Sequence, residues 1–179
     1  MRPARASRRL AAAAVAAVLG LSGCGLTHIH DLNFRVDKRL HFVSPKSRST
    51  VTQPVTVSWT MSDFQIAAED SQPPSRDAGY FAIFVDQAPI KPGATMKSVA
   101  DGDAACQSDP KCPNRAYLSE HDVFTTTKTS IRLPQIPDLT NSKQTLQVHT
   151  ITIVLMDTSG HRIGESAWEL DVRIHKASY

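Results

Sequence analysis

His149-Thr150-Ile151-Thr152-Ile153-Val154-Leu155-Met156, then Asp157-Thr158-Ser159-Gly160, then Trp168-Glu169-Leu170-Asp171-Val172-Arg173-Ile174-His175: these runs decide how the chain is built. In the first, His149, Ile151, Ile153 and Leu155 fall on one face and Thr150, Thr152, Val154 and Met156 on the other, the period of two of a strand. In the last, Trp168, Leu170, Val172 and Ile174 alternate with Glu169, Asp171, Arg173 and His175. Asp157, Ser159 and Gly160 supply turn chemistry between them. Two alternating runs about a glycine-containing turn predict an antiparallel hairpin.

The same period recurs upstream. Val55, Val57, Trp59 and Met61 alternate with Thr56, Ser58 and Thr60 behind Pro54, a residue suited to a strand start. Tyr80-Phe81-Ala82-Ile83-Phe84-Val85 is apolar on both faces, the mark of a central strand. Thr125 to Leu133 is Thr-rich and stops at Pro134, with Ile131 and Leu133 on one face. Strands are therefore expected near 40–43, 54–61, 80–86, 123–133, 147–156 and 165–174, with room for one more short strand inside 94–118. Beyond the first 23 residues no stretch has a helical period, so the expected class is all-β. Trp59 and Trp168 lie on apolar faces and are expected in the core.

The N-terminal residues read differently. Arg2, Arg5, Arg8 and Arg9 form a positive stretch without an acid, and Leu10 to Leu21 is almost entirely Ala, Val and Leu. That run is shorter than the ~20 apolar residues of a spanning helix. It closes on Leu21-Ser22-Gly23-Cys24. The stretch resembles the lipobox of bacterial lipoproteins, with leucine three before the cysteine and small residues between. The resemblance implies that residues 1–23 are a cleaved signal peptide. It also implies that Cys24 carries a diacylglyceryl group on its sulfur, and that the rest is held at the extracytoplasmic side of a bacterial membrane, in the cell envelope. The competing reading is an ordinary secretory signal beside an incidental cysteine; the flanks favour the lipobox. Ser7-Arg8-Arg9-Leu10 resembles a twin-arginine signal only in part, because Ala11 and Ala12 lack its bulky apolar residue, so general export is expected.

Charge and cysteine usage follow from that division. The chain has 20 Lys and Arg against 17 Asp and Glu, but four of the arginines and none of the acids precede Cys24. What remains carries a net charge of −1, which gives no case for a nucleic-acid partner. The 156 residues from Cys24 onward suit a tether over 24–38 and one domain over 39–179. Fully extended, the tether reaches ~45 Å. With Cys24 lipidated, Cys106 and Cys112 are left to pair in an oxidising compartment. Their loop is small, so the bridge contributes only about 2 kcal/mol and shapes a loop without holding the domain together. It lies in a long irregular section, 87–122, that holds Pro89, Pro92, Gly93, Gly102, Pro110 and Pro113. Structureless loops above about 15 residues are uncommon, so this section reads as a functional or disulfide-braced insertion.

The order Val55-Thr56-Val57-Ser58-Trp59, Tyr80 to Asp86, a Thr-rich strand closing on Pro134, and a final hairpin resembles the immunoglobulin-like or fibronectin type III-like β-sandwiches of bacterial surface proteins. The likeness covers about Leu40 to Ile174 and implies a single antiparallel sandwich. Cys106 and Cys112 are too close in sequence to be the inter-sheet bridge of antibody domains. In such a topology the 87–122 insertion and the 134–146 loop share one end. The 63–79 loop and the 157–160 turn lie at the other, where the first strand begins. The insertion end is the expected working surface; the alternative is that the insertion merely covers a sheet edge, since exposed edges need protection.

Candidate chemistry is sparse. Gly164-Glu165-Ser166-Ala167 resembles part of a nucleophile elbow, but Ser166 enters a strand where an elbow needs a strand-turn-helix, so a surface role is expected. His28 and His30 in Thr27-His28-Ile29-His30-Asp31 would point to one side of an extended chain, about 6.6 Å apart. They could share a Cu or Zn ion, with Asp31 or His41 as a further ligand. An exposed tether is the alternative. Asp101-Gly102-Asp103 with Asp109 could offer oxygens to Ca²⁺, but lacks the remaining acids and the terminal Glu of an EF-hand loop; a polar braced loop is preferred. Glu69-Asp70 carries no sign of the burial that would split the pKa values of a catalytic pair. No zincin, thioredoxin-type, phosphate-loop or dinucleotide motif occurs. The expectation is a membrane-anchored, non-enzymatic binding or assembly module without a cofactor. Its partners would be the membrane, through the lipid on Cys24, and a protein or envelope polymer. The alternative is a Cu- or Zn-handling lipoprotein using the His28/His30 region.

Overall fold

The computed structural model describes residues 37–140 and 143–176. The strands among them are β1 (Leu40–Ser44), β2 (Thr50–Val51), β3 (Val55–Met61), β4 (Gln65–Ile66), β5 (Ala78–Val85), β6 (Val123–Thr126), β7 (Ser130–Leu133), β8 (Leu146–Asp157) and β9 (Trp168–His175). Between β5 and β6 lie a 3-10 turn, Met96–Ala100, and two short helices, α1 (Ala104–Ser108) and α2 (Arg115–Glu120). The chain is all-β in its framework, as expected.

The strands form two sheets. One has the order β1-β3-β7; in the other β2-β9-β8-β5-β4 run side by side and β6 also pairs with β5. The C-terminal hairpin is the centre of the larger sheet, with β8 and β9 antiparallel from Leu146↔His175 to Ile153↔Trp168. Past Trp168 the pairing turns irregular but continues, through Ile163 N–H to Leu155 O (2.8 Å) and Asp157 N–H to His161 O (2.8 Å). The Asp157 carboxylate caps the turn, accepting from the N–H groups of Ser159 and His161, each at 2.9 Å. β5 pairs antiparallel with β8 from Gly79↔Asp157 to Val85↔Ile151.

Two expectations need correction. The stretch 123–133 is not one strand. β6 pairs with β5 in the larger sheet, and β7 pairs with β3 in the smaller one, Val55↔Leu133 to Ser58↔Ser130. The chain changes sheets at 127–129, where Lys128 N–H bonds the Thr126 hydroxyl at 3.1 Å. Consecutive threonines hide this step, because each residue still reads as strand-forming. Nor does 94–118 hold a strand: it holds the 3-10 turn, α1 and the start of α2. Helices of five and six residues are too short to imprint a period. Their caps carry them instead: Asp103 accepts from Ala105 and Cys106 N–H, and Asn114 from Tyr117 N–H.

Two apolar layers result. The inner one lies between the sheets and joins Val57, Trp59, Phe81, Ile153, Leu155 and Leu170, with Trp59 set edge-on to Phe81 at 5.1 Å. Trp168 also belongs to it. The outer layer lies on the other face of the larger sheet, where Tyr80, Phe84, Val154 and Met156 meet Ile90 and Leu118 of the insertion. Every residue of β5 is buried, which is why its sequence is apolar on both faces. Leaving Phe84, Val154 and Met156 uncovered would forfeit on the order of 2 kcal/mol each, so the insertion is a structural layer. It starts and ends at one end of the sheets, because β6 runs antiparallel to β5 from Phe84↔Val123; the expected plan, in which 123–133 runs towards the insertion end as 80–86 does, is corrected for β6. The insertion's body, however, runs the length of the outer face to the 157–162 turn, where Thr95 bridges His161 and Gly93 N–H bonds Arg162 O at 3.0 Å.

Gly79 allows β5 to approach β8. At its φ of 153° a Cβ would lie 1.8 Å from the backbone oxygen of Met156. Gly79→Ala is therefore expected to cost more than about 3 kcal/mol, because backbone must move at the centre of a sheet. Guanidinium unfolding measures this. A midpoint equal to that of the natural chain would contradict the close approach.

Candidate functional site

Arg162 fixes the geometry of the insertion. It is 7 % exposed, and its guanidinium donates to the carbonyls of Ile90, Glu165 (3.0 Å) and Ser166 (3.3 Å). Burial pushes its pKa down. One buried cation thereby ties the start of the insertion to the loop before β9. The roots are tied separately. Val85 N–H bonds Asp122 O at 3.0 Å, and the Gln87 amide donates to His121 O. The Asp86 carboxylate meets His149 Nδ1 at 2.6 Å and accepts from Thr150 N–H at 2.9 Å. Burial, with the neighbouring Asp86 charge, raises the pKa of Asp122.

Held this way, the insertion forms one wall of a cleft of ≈ 960 Å³. Lys97, Lys111 and Arg115 stand on that wall. The opposite wall is the β6–β7 edge, with Thr125, Thr126, Lys128, Ser130 and Arg132. Met96, Leu118 and Tyr80 contribute apolar surface at the floor, and Glu69, Ser159 and Gly160 close the end nearest the 157–160 turn. Burial, then the charges of Glu69, Asp157 and Asp70, pushes the Tyr80 hydroxyl's pKa up, so it stays neutral. Five cations face a single carboxylate, in a chain whose charges otherwise nearly balance. Among the described residues none of the five is ion-paired. The lining itself holds no histidine, and Cys112 is already bonded to Cys106; at its end the Ser159 hydroxyl lies 3.0 Å from His161 Nδ1 but donates to Asp157 Oδ1 at 2.8 Å, within the turn that the same carboxylate caps. The cleft's chemistry is that of an anion-binding surface.

The disulfide joins Cys106 and Cys112 across a Cα–Cα distance of 5.1 Å, as expected, and shapes the Pro110–Pro113 part of the wall. Of the other residues singled out in the sequence as candidate chemistry, Glu69 alone among the described ones lines the cleft. Cys24, His28, His30 and Asp31 lie outside the described residues. His41 is exposed on β1, and among the described residues no group of three or more His, Cys, Asp or Glu is placed to hold a metal ion. Asp103 accepts from two helix N–H groups and from the Tyr117 hydroxyl at 3.1 Å, and Asp109 from Lys111 N–H at 2.9 Å. These carboxylates hold the insertion's backbone. Glu69 lines the cleft, whereas Asp70 is tied by its N–H to Thr158 O at 2.7 Å.

Ser166 precedes β9, and its hydroxyl donates to Asp37 Oδ2 at 2.8 Å. The Trp168 indole N–H donates to Asp37 O at 2.8 Å, and Arg39 grips the same carboxylate, Nη2 to Oδ2 at 2.8 Å. This cluster ties the first of the described residues to the start of β9.

The five cleft cations were not singled out in the sequence. They are spread over 36 positions from Lys97 to Arg132 and form no run. The available signal was local: 110–119 and 123–137 each contain two cations and no acid. Comparison with known protein families, with characterised proteins and with solved structures finds no match.

The Asp37 cluster is acid-sensitive. The hydrogen bond from Arg39, reinforced by Ser166, lowers the pKa of Asp37 from 3.8 to about 2. A carboxyl depressed by folding contributes stability above its unfolded pKa and loses it as pH falls through the folded value. Unfolding between pH 3.8 and about 2 should therefore release part of the stability in the natural chain. Asp37→Asn should flatten that segment of the pH profile. An identical profile in the variant would contradict this role.

Proposed function

We propose that the chain is a bacterial envelope lipoprotein, anchored through a lipid on Cys24, whose folded unit is a non-enzymatic binding module for an anionic partner. The anchoring rests on the likeness of Leu21-Ser22-Gly23-Cys24 to a lipobox and on the arginine-bearing apolar leader before it. An immunoglobulin-like plan is supported by the strand order. β1 joins β3 and β7 in one sheet, while β2, just after it in the chain, pairs in parallel with the last strand, β9, in the other. The Cys106–Cys112 bridge stands apart from the inter-sheet bridge of antibody domains, within the insertion.

The single observation that carries the binding reading is the cleft's charge. Exposed like charges repel, and a fold gains nothing by gathering five unpaired cations on facing walls. The arrangement is useful when an anion enters. A catalytic reading finds less support: the Ser166 hydroxyl is engaged with Asp37, and the Ser159 hydroxyl, though 3.0 Å from His161 Nδ1, donates to Asp157 within the turn. Nucleic acid is not the proposed partner. An envelope polymer or an acidic protein is, reached from the extracytoplasmic face of the membrane.

Both halves are testable. Cys24→Ala should abolish metabolic labelling by a fatty acid, and unchanged labelling would contradict the anchor. For the binding half, delipidated envelope material should retain the natural chain. The surface variant Lys128→Glu with Arg132→Glu should be retained about tenfold less well, because two attractive contacts become repulsive. Equal retention of a variant that still melts cooperatively would contradict the cleft's role.

A further inference from the structure

We propose that the cleft's ligand is an anionic glycan: a sugar or polyol chain bearing phosphate or carboxylate groups at intervals. The inference rests on the reading of the cleft as the binding surface and narrows it to a ligand class.

Cations on both walls set the first requirement. Lys97, Lys111 and Arg115 face Lys128 and Arg132 across the cleft, so a ligand that satisfies both walls carries more than one anionic group. The two arginines, one per wall, suit the paired oxygens of phosphate or carboxylate. Hydroxyls set the second. Thr125, Thr126, Thr127 and Ser130 lie along one wall, where each hydroxyl can donate and accept although Thr126 already accepts from Lys128 N–H; the Ser159 hydroxyl at the end is already committed to Asp157. Glu69, beside Ser159 and Gly160, adds an acceptor-only group where the cations stop. A ligand made of alternating anions and hydroxyls matches that lining; one made of anions alone would use the wall's hydroxyls as donors only and meet like charge at Glu69.

Two other polyanions fit less well. Single-stranded nucleic acid binds through aromatic platforms for its bases, and Tyr80, the aromatic residue in the cleft lining, is 4 % exposed. An acidic peptide would gain most by adding as a strand to a sheet edge. The edge here is broken: β6 and β7 are four residues each and belong to different sheets. Recognition along this wall therefore runs through side chains, not through a continuous backbone ladder.

The test is a binding titration of the full chain in detergent at about 150 mM salt, where remote charges are screened. The probes are a polyuronate, a poly(glycerol phosphate), polyglutamate, single-stranded DNA, neutral dextran and vesicles of phosphatidylglycerol. The polyuronate or the poly(glycerol phosphate) should bind about tenfold tighter than any other probe, and the pair reports which anion is preferred. Lys97→Gln with Arg115→Gln, and separately Lys128→Gln with Arg132→Gln, should each weaken that binding about tenfold without lowering the melting temperature. Thr127→Ala with Ser130→Ala should weaken glycan binding about threefold and leave residual polyglutamate binding unchanged. Polyglutamate, DNA or vesicles binding as tightly as the glycans, with loss in the Gln variants, would overturn the glycan assignment and leave the cleft as the binding surface. No probe responding to the Gln variants would overturn both. Equal loss of glycan and polyglutamate in the hydroxyl variant would also count against a glycan.

Discussion

Every side chain of β5 from Ala78 to Val85 is buried, and a strand buried on both faces needs a layer on each side. The smaller sheet covers one face. On the other, chain between β5 and β6 takes the place of a third sheet among the described residues. Much of the molecule follows from that need. The insertion leaves the end of β5, crosses the outer face, reaches the 157–162 turn and returns to begin β6. Its apolar residues (Ile90, Met96, Val99 and Leu118) supply the packing, and Arg162, the Asp103 and Asn114 caps and the disulfide fix its path. A covering segment of this kind has an outer surface free to vary. Where it meets the β6–β7 edge it leaves a cleft.

The opposite problem arises at the far end of the inner layer, where polar groups meet the core. Gln147 and His149 continue the inward face of Ile151, Ile153 and Leu155, yet each is 1 % exposed. Their polar atoms are satisfied locally. Gln147 accepts from Leu139 N–H at 2.9 Å, and His149 meets Asp86 at 2.6 Å. Gln53 acts in the same way, accepting from Ile136 N–H at 2.9 Å and donating to Ile136 O at 3.1 Å. Side-chain amides thus stand in for strand neighbours and hold the 134–140 segment against the core. Burial without these bonds would cost about 1–3 kcal/mol for each group.

The regular part of this structure was legible in the sequence. The alternation through His149–Met156 and Trp168–His175 placed β8 and β9, and the double apolar face of 80–85 placed β5 at the centre. The irregular parts were not, for physical reasons. A strand that changes sheets keeps its residue preferences, so Thr125–Leu133 looked continuous. Helices of five or six residues held by caps leave no period. The two-residue strands β2 and β4 are fixed by neighbours distant in sequence, Arg173 and Ile174 for one and Ala78 and Gly79 for the other. The cleft's cations come from separate segments, and only folding gathers them. Ser166 shows the converse: its local sequence suggested chemistry, and its partner, Asp37, lies 129 residues away.

Whether the insertion is a built layer can be measured by amide hydrogen exchange of the full chain. Gly93 N–H, bonded to Arg162 O, and Leu118 N–H, bonded to Asn114 O, lie in opposite arms of the insertion. If the covered face of β5 and β8 holds the insertion in place, both amides exchange through openings close in free energy to those of the Phe81–Val85 amides. Exchange of Gly93 and Leu118 at the rate of an unstructured peptide, with β5 still protected, would contradict it. The insertion would then be a loose loop, and the cleft would lose its second wall.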